Sequence, residues 1–142
     1  MNNAKEFLSK AYLIDKRINS KVEQILKLRE LATKANSVLS DMPPNSTRNF
    51  KKMEDAIVKI LSLENEISED IKYLAGLKQD IVKAIKEIKN IKYQTILEMR
   101  YLCFKTWEQI AVDLNYGIDN VFRIHKKALK KVNFKNIYSK IQ

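Results

Sequence analysis

Between Ile118 and Val132 the chain gathers side chains suited to reading a nucleic acid. Asp119, Asn120, Phe122 and Arg123 come first, and Lys126, Lys127 and Lys130 follow. Arg and Asn offer forked hydrogen-bonding groups to base edges in a major groove. Asp can accept from cytosine, and an aromatic ring can touch a thymine methyl. Lysines end in point charges that suit phosphate. This order predicts a helix whose N-terminal end enters the groove while its later lysines meet the backbone. Phe122, beside Val121, reads equally well as a core residue.

Catalytic chemistry finds little material. There is one histidine, His125, and one cysteine, Cys103. No serine or cysteine nucleophile stands beside His125, and a lone helical histidine is more often packed or hydrogen-bonded. One Cys and one His cannot build a metal cluster or an intrachain disulfide. The only two glycines, Gly76 and Gly117, are 41 residues apart and cannot form a phosphate-cradling loop. Carboxylate pairs such as Glu54-Asp55 and Glu69-Asp70 lie among polar helix-face residues. The expectation is a binding protein, not an enzyme, with no cofactor and no metal.

The elements that position the basic helix are short. Thr106-Trp107-Glu108-Gln109 is a capping box, with Thr106 as N-cap and Gln109 three residues on. The helix it opens runs to Leu114, with Ile110, Ala111 and Leu114 inward. Asn115-Tyr116-Gly117 is a turn, and the last helix follows with Val121, Ile124, Ala128 and Leu129 inward. Two turns of helix, a Gly-containing turn and a longer basic helix make a helix-turn-helix arrangement. Thr106 and Trp107, at the start of the first motif helix, are candidate phosphate contacts, with the Trp107 indole N–H as a donor. Trp107 also reads as a packing residue. An earlier helix covers Ile91 to Leu102, with Tyr93, Ile96, Leu97 and Tyr101 apolar, and breaks at Cys103-Phe104-Lys105.

Residues 1–90 read differently. Ala4, Phe7, Ala11, Ile14, Ile18, Lys21, Ile25, Leu28, Ala32, Ala35 and Leu39 form a heptad seam. Ser40 to Thr47 stops it, because Pro43 and Pro44 disfavour helix at the residues before them. A second seam runs Met53, Ile57, Ile60, Glu64, Ile67, Ile71, Leu74, Lys78, Ile81, Ile85, Ile88. The two predict an antiparallel hairpin over 4–39 and 50–90, with arms about 50 Å long. Lys21, Glu64 and Lys78 either snorkel out of the seams or fix register and oligomeric state. Leu8, Tyr12, Leu26, Leu31, Leu61, Leu63, Tyr73, Leu77 and Val82 lie partly outside the seams. This surplus must pack on a second copy or on the C-terminal segment.

The fold class expected is therefore all-α. A long helical hairpin at 1–90 serves oligomerisation or partner binding. A DNA-binding domain with a basic tail occupies 91–142. The net charge of +10 is uneven: residues 91–142 carry ten Lys/Arg against four Asp/Glu. From Arg123 onward there are seven basic residues and no acid. Such an excess points to a polyanionic partner. No signal-peptide core follows the N-terminus, and no apolar run approaches the roughly 18 residues of a membrane span. A cytoplasmic protein with no membrane partner is expected.

The residues from Ile96 onward resemble region four of bacterial sigma factors: Ile96 to Tyr101, Thr106 to Ala111, Leu114, Val121, Arg123-Ile124 and Lys127 to Val132. The chain more closely resembles small regulators of phages of low-GC Gram-positive bacteria, a group that includes the ArpU-like and RinA-like late-transcription regulators. Their pattern is matched by Arg100-Tyr101, Thr106 to Ala111, Leu114 to Gly117 and Val121-Phe122-Arg123-Ile124-His125, over about 40 residues. Two positions depart from it. A glycine expected before the capping box is Phe104, and the usual Ser or Thr cap of the second motif helix is Gly117. The resemblance implies sequence-specific binding of double-stranded DNA, and engagement of RNA polymerase as a further partner. A homodimer through the hairpin is expected, since two copies on adjacent half-sites multiply affinity. Two alternatives stand beside it. One is a DNA-packaging protein like phage small terminase subunits. The other is a helical module that contacts RNA polymerase or another protein.

Overall fold

A computed structural model describes residues 3–41 and 46–133, with side chains at 3–34 and 47–133. Pro43, Pro44 and the tail from residue 134 lie outside the described residues. So do the side chains of seam positions Ala35 and Leu39. Five helices follow in order: α1 (Asn3–Asp41), α2 (Ser46–Lys86), α3 (Ile91–Tyr101), α4 (Trp107–Leu114) and α5 (Ile118–Lys131). The described residues contain no strand, so the fold is all-α. The long helices are rich in Leu, Lys, Glu, Ala and Ile and free of interior proline, and Gly76 is their one interior glycine.

The chain packs as two compact units, one of Met1–Ile14 with Leu74–Gln142 and one of Asp15–Tyr73. They do not divide at residue 90, so the ends of both long helices belong with α3, α4 and α5.

In the unit of Asp15–Tyr73, the first seam falls where expected. Lys21 and Ile25 are buried, and Ile18, Leu28 and Ala32 are half-buried. Lys21 Nζ is 2.6 Å from Asp70 Oδ2, and Arg29 Nη2 is 3.5 Å from Glu64 Oε1. As numbers rise along α1 they fall along α2, so the arms run antiparallel, as a hairpin requires. Lys21 does not snorkel: it is only 9% exposed and sits in the seam with its partner. Glu64 is exposed.

In this unit the second seam keeps Met53, Ile60 and Ile67 inward but slips by one residue at Ile57, Glu64 and Ile71. Its later positions Ile81, Ile85 and Ile88 are buried as expected. Ile57 and Ile71 are 45% and 52% exposed. The inward residues are Met53, Ala56, Ile60, Leu63, Ile67 and Asp70. Asp70 turns inward because it meets Lys21, and Ala56 is small enough for the helices to approach. Ile57, Leu61 and Ile71 are left exposed. Relative to the Arg29–Glu64 pair, Val22 and Ile71 are each seven residues along, in opposite chain directions. That places Val22 and Ile71 on the flank that carries Arg29 and Glu64, with Leu26 one turn from Val22. Apart from Leu63, the apolar surplus of this unit therefore faces outward.

In the unit of Met1–Ile14 with Leu74–Gln142, most of the surplus is absorbed: Leu8 and Leu77 are buried and Val82 is half-buried, while Tyr12 stays 40% exposed. One core joins Ala4, Phe7, Leu8 and Ala11 of α1, Leu77, Ile81, Ala84 and Ile85 of α2, and Ile88 just beyond it. Leu97 and Tyr101 of α3 and Ala128 and Leu129 of α5 complete it. A second core of Ile96, Ile110, Ala111 and Val121 holds α3, α4 and α5 together. Asn90 caps α3, its side chain accepting from the N–H groups of Lys92 (2.9 Å) and Tyr93 (3.3 Å).

Candidate functional site

The entry to α4 is held by the expected capping box. Thr106 Oγ1 accepts from the Gln109 N–H at 3.1 Å, and Gln109 Oε1 accepts from the Thr106 N–H at 3.0 Å. Both orphan donors are thus satisfied at an exposed helix start. Lys105 Nζ, 2.6 Å from Asp113 Oδ2, ties the preceding residue to the last turn of the helix. Its pKa is raised by that hydrogen bond.

Phe104 stands where the sequence pattern led us to expect glycine, and its backbone is left-handed, with φ 58°. The turn therefore keeps the glycine-like conformation without the glycine. Side-chain contacts offset the strain. The Phe104 ring meets Tyr12 edge-on at 5.7 Å, and Lys78 Nζ sits 4.8 Å from its centre.

Asn115 ends α4 in the left-handed conformation, φ 57° and ψ 42°, which Asn tolerates. Gly117 then caps α5 in extended geometry with no side-chain bond. The cap is the weaker kind, as the departure from Ser or Thr implied. Asp119 lies in the first turn, where a carboxylate favours the helix dipole.

On α5, Val121, His125, Ala128 and Leu129 are buried. Asp119, Phe122, Arg123, Lys126, Lys127 and Lys130 are exposed on the other side. Asn120 is half-buried, and its Oδ1 accepts from Arg123 Nη2 at 2.6 Å. Seven expected residues thus share one helix, and six of them are open to a partner. Phe122, 44% exposed, is not a core residue; its ring leans edge-on against Trp107 at 5.4 Å. Thr106 and Trp107 lie at the start of α4. The Thr106 oxygen is engaged in the cap, and Trp107 is half-buried.

Trp107 leads to a cluster that sequence reasoning did not assemble. Its ring also meets His125 at 4.5 Å, and the guanidinium of Arg100 lies 4.4 Å over it. His125 Nε2 is 2.6 Å from the Tyr101 hydroxyl. Burial pushes the Tyr101 phenol up to about 12. Burial, then the charges of Lys5 and Arg100, pull His125 down to about 4. Both groups are neutral at pH 7. His125 is a packed, hydrogen-bonded histidine, in line with its sequence reading. The Arg100-Tyr101 and His125 pieces of the motif were the available signal, but only the fold brings Lys5 of α1 beside them.

Among the described residues no group of three or more His, Cys, Asp or Glu could hold a metal ion. No described helix is long and apolar enough to cross a membrane. What α4 and α5 present is a row of cations and hydrogen-bonding groups beside two aromatic rings.

No curated protein and no solved structure matches the chain. A family model described as "Protein of unknown function (DUF1492)" matches residues 46–133, from the first residue of α2 to just past α5. With more than half of its length matched, the chain belongs to the DUF1492 family.

Proposed function

We propose that this chain is a cytoplasmic, phage- or prophage-type transcription regulator that binds double-stranded DNA by sequence. Helices α4 and α5 act as the helix-turn-helix, and the resemblance to ArpU-like and RinA-like regulators and to sigma region four supports that reading. One observation carries it: the exposed row Asp119, Phe122, Arg123, Lys126, Lys127, Lys130 on α5, opposite a buried face. Arg123, braced by Asn120 near the start of the helix, offers a held guanidinium to a guanine edge. The lysines behind it face the backbone phosphates. Thr106 and Trp107 flank the groove from the start of α4.

The regulator works as a homodimer through the hairpin. The flank of Val22, Leu26, Ile57, Leu61 and Ile71 supports this, because outward apolar side chains of this density gain by association. The exposed Arg29–Glu64 pair on that flank is self-complementary under a two-fold axis. RNA polymerase is the further partner that the sigma-like resemblance implies.

Selection of bound sequences from a random duplex pool tests the proposal. A single enriched motif is expected, and Arg123→Ala should lose the enrichment. A pool that returns no motif would remove sequence-specific regulation. A ring-sized oligomer by light scattering would favour the packaging alternative over the dimeric regulator.

A further inference from the structure

Between the first turns of α1, the end of α3 and the start of α4 lies a cavity of about 100 Å³, lined by Lys5, Ser9, Tyr12, Arg100, Tyr101 and Trp107. Two of these six side chains are cations and none is a carboxylate. Of the three hydroxyls, that of Tyr101 is engaged by His125; the Ser9 hydroxyl and the Trp107 indole N–H add donors to the two cations. At ~30 Å³ per water, the space equals about three waters. That suits one tetrahedral oxyanion.

Arg100 is held in place before any ligand arrives. Its Nη1 donates to the Lys105 carbonyl at 2.9 Å, and its Cζ lies 4.4 Å over the Trp107 ring and 6.0 Å from the Tyr12 ring. A guanidinium has five N–H donors, so most remain for a guest. Lys5 brings a point charge from α1. A guanidinium held over an aromatic ring beside a second cation offers a phosphate both a hydrogen-bonding fork and a point charge.

We propose that this cavity binds a single phosphate group, with Lys5 and Arg100 as its charge partners and the Ser9 hydroxyl as a further donor. The chemistry is shared by two sources, a small phosphorylated ligand and a backbone phosphate of DNA. The site itself does not depend on the DNA reading. Its occupancy reaches the rest of the unit through Trp107, which touches Phe122, and through Tyr101, which is bonded to His125. A bound anion offsets the charges of Lys5 and Arg100, so it raises the pKa of His125.

The chain has one Trp and one His: Trp107 lines this cavity, and His125 lies behind it against Trp107 and Tyr101. Each reports without labelling. The full chain is titrated with inorganic phosphate at constant ionic strength, with chloride as control. Trp107 emission and the His125 ring resonance are followed. Saturable changes in both are expected, with His125 titrating at higher pH when phosphate is bound. Lys5→Gln, an exposed position, should weaken phosphate binding about tenfold, as loss of a charge-assisted hydrogen bond does, with helicity and melting temperature unchanged. Signals that track chloride equally, or a Lys5→Gln variant that binds phosphate as well as the parent, would overturn the site. A short duplex added last assigns the source. If duplex and phosphate compete, and Lys5→Gln lowers the salt slope of DNA binding by about one, the site takes a backbone phosphate. If they bind independently, it takes a small phosphorylated ligand. A chain that binds phosphate but no duplex keeps the site and removes the DNA reading.

Discussion

The Tyr101 hydroxyl and His125 Nε2 lie 2.6 Å apart, a neutral hydrogen bond between α3 and α5 beneath the Trp107 ring. Lys5 and Arg100 are the charged groups that bear on His125, and both oppose its protonation. In the unfolded chain His125 titrates near 6.5; in the folded chain it titrates near 4. Between those values the unfolded chain binds a proton that the native one does not. Stability is therefore fully present above pH 6.5 and falls as pH drops toward 4. Each pH unit inside the window costs up to about 1.4 kcal/mol. Melting curves at pH 7 and pH 5 should show this loss, and His125→Gln should flatten it. An equal slope in the variant would assign the effect to carboxylates instead.

The ion pair between Lys21 and Asp70 is largely withdrawn from water, with side chains 11% and 18% exposed. Breaking such a pair from one side strands a charge, whereas replacing both partners with apolar groups is often neutral or better. Lys21→Met or Asp70→Leu alone should cost about 2 kcal/mol, less than a fully buried pair because some solvent reaches both groups. The double substitution should recover most of that loss. Urea unfolding of the four-membered cycle measures the coupling. Additive losses would mean that the pair contributes nothing as a pair.

Phe104 reverses the usual order of glycine and alanine. At φ 58° a side chain costs about 1 kcal/mol or more relative to glycine. Phe104→Ala keeps that strain and loses the contacts with Tyr12 and Lys78. Phe104→Gly loses the same contacts but relieves the strain. The glycine variant should therefore be more stable than the alanine variant by about 1 kcal/mol, and both less stable than the parent. Thermal melts rank the three. Alanine above glycine would show that the turn refolds when the ring is removed.

The short helices were legible because their signals are local. A capping box, an Asn-containing turn and a basic face each declare themselves within a few residues. The phase of α2 around Ile57 and Ile71 was not. Ile57 and Ile71 are greasier than Ala56 and Asp70, and hydrophobicity alone selects them. An inward Asp makes sense only once Lys21 is known to stand across from it. The same limit hid the cavity: Lys5 and Arg100 belong to different helices, and no periodicity joins them. The motif break near Asn90 marks where a helix starts. Packing does not follow that break, since Leu97, Tyr101, Ala128 and Leu129 share a core with Phe7, Leu8 and Ile81.

On α5 the proposed division of labour between Arg and Lys gives separable outcomes. Arg123, tied to Asn120 at 2.6 Å, lies near the helix start and can reach a base edge with a bidentate fork. Lys127 and Lys130 lie one and two turns further along, exposed, and end in point charges. Arg123→Ala should cost about 1–3 kcal/mol on the preferred duplex and much less on random DNA. Lys127→Ala or Lys130→Ala should weaken both duplexes alike. Each should also lower the salt slope by about one, because one fewer counterion is released. Asn120→Ala should fall between these limits: it leaves the guanidinium in place but unbraced, so specificity relaxes while the salt slope holds. Binding curves on both duplexes across a salt series read all of this at once. If Lys130→Ala removed only the site-specific component at an unchanged slope, the C-terminal end of α5 would be the end in the groove, and the docking direction would have to be reversed.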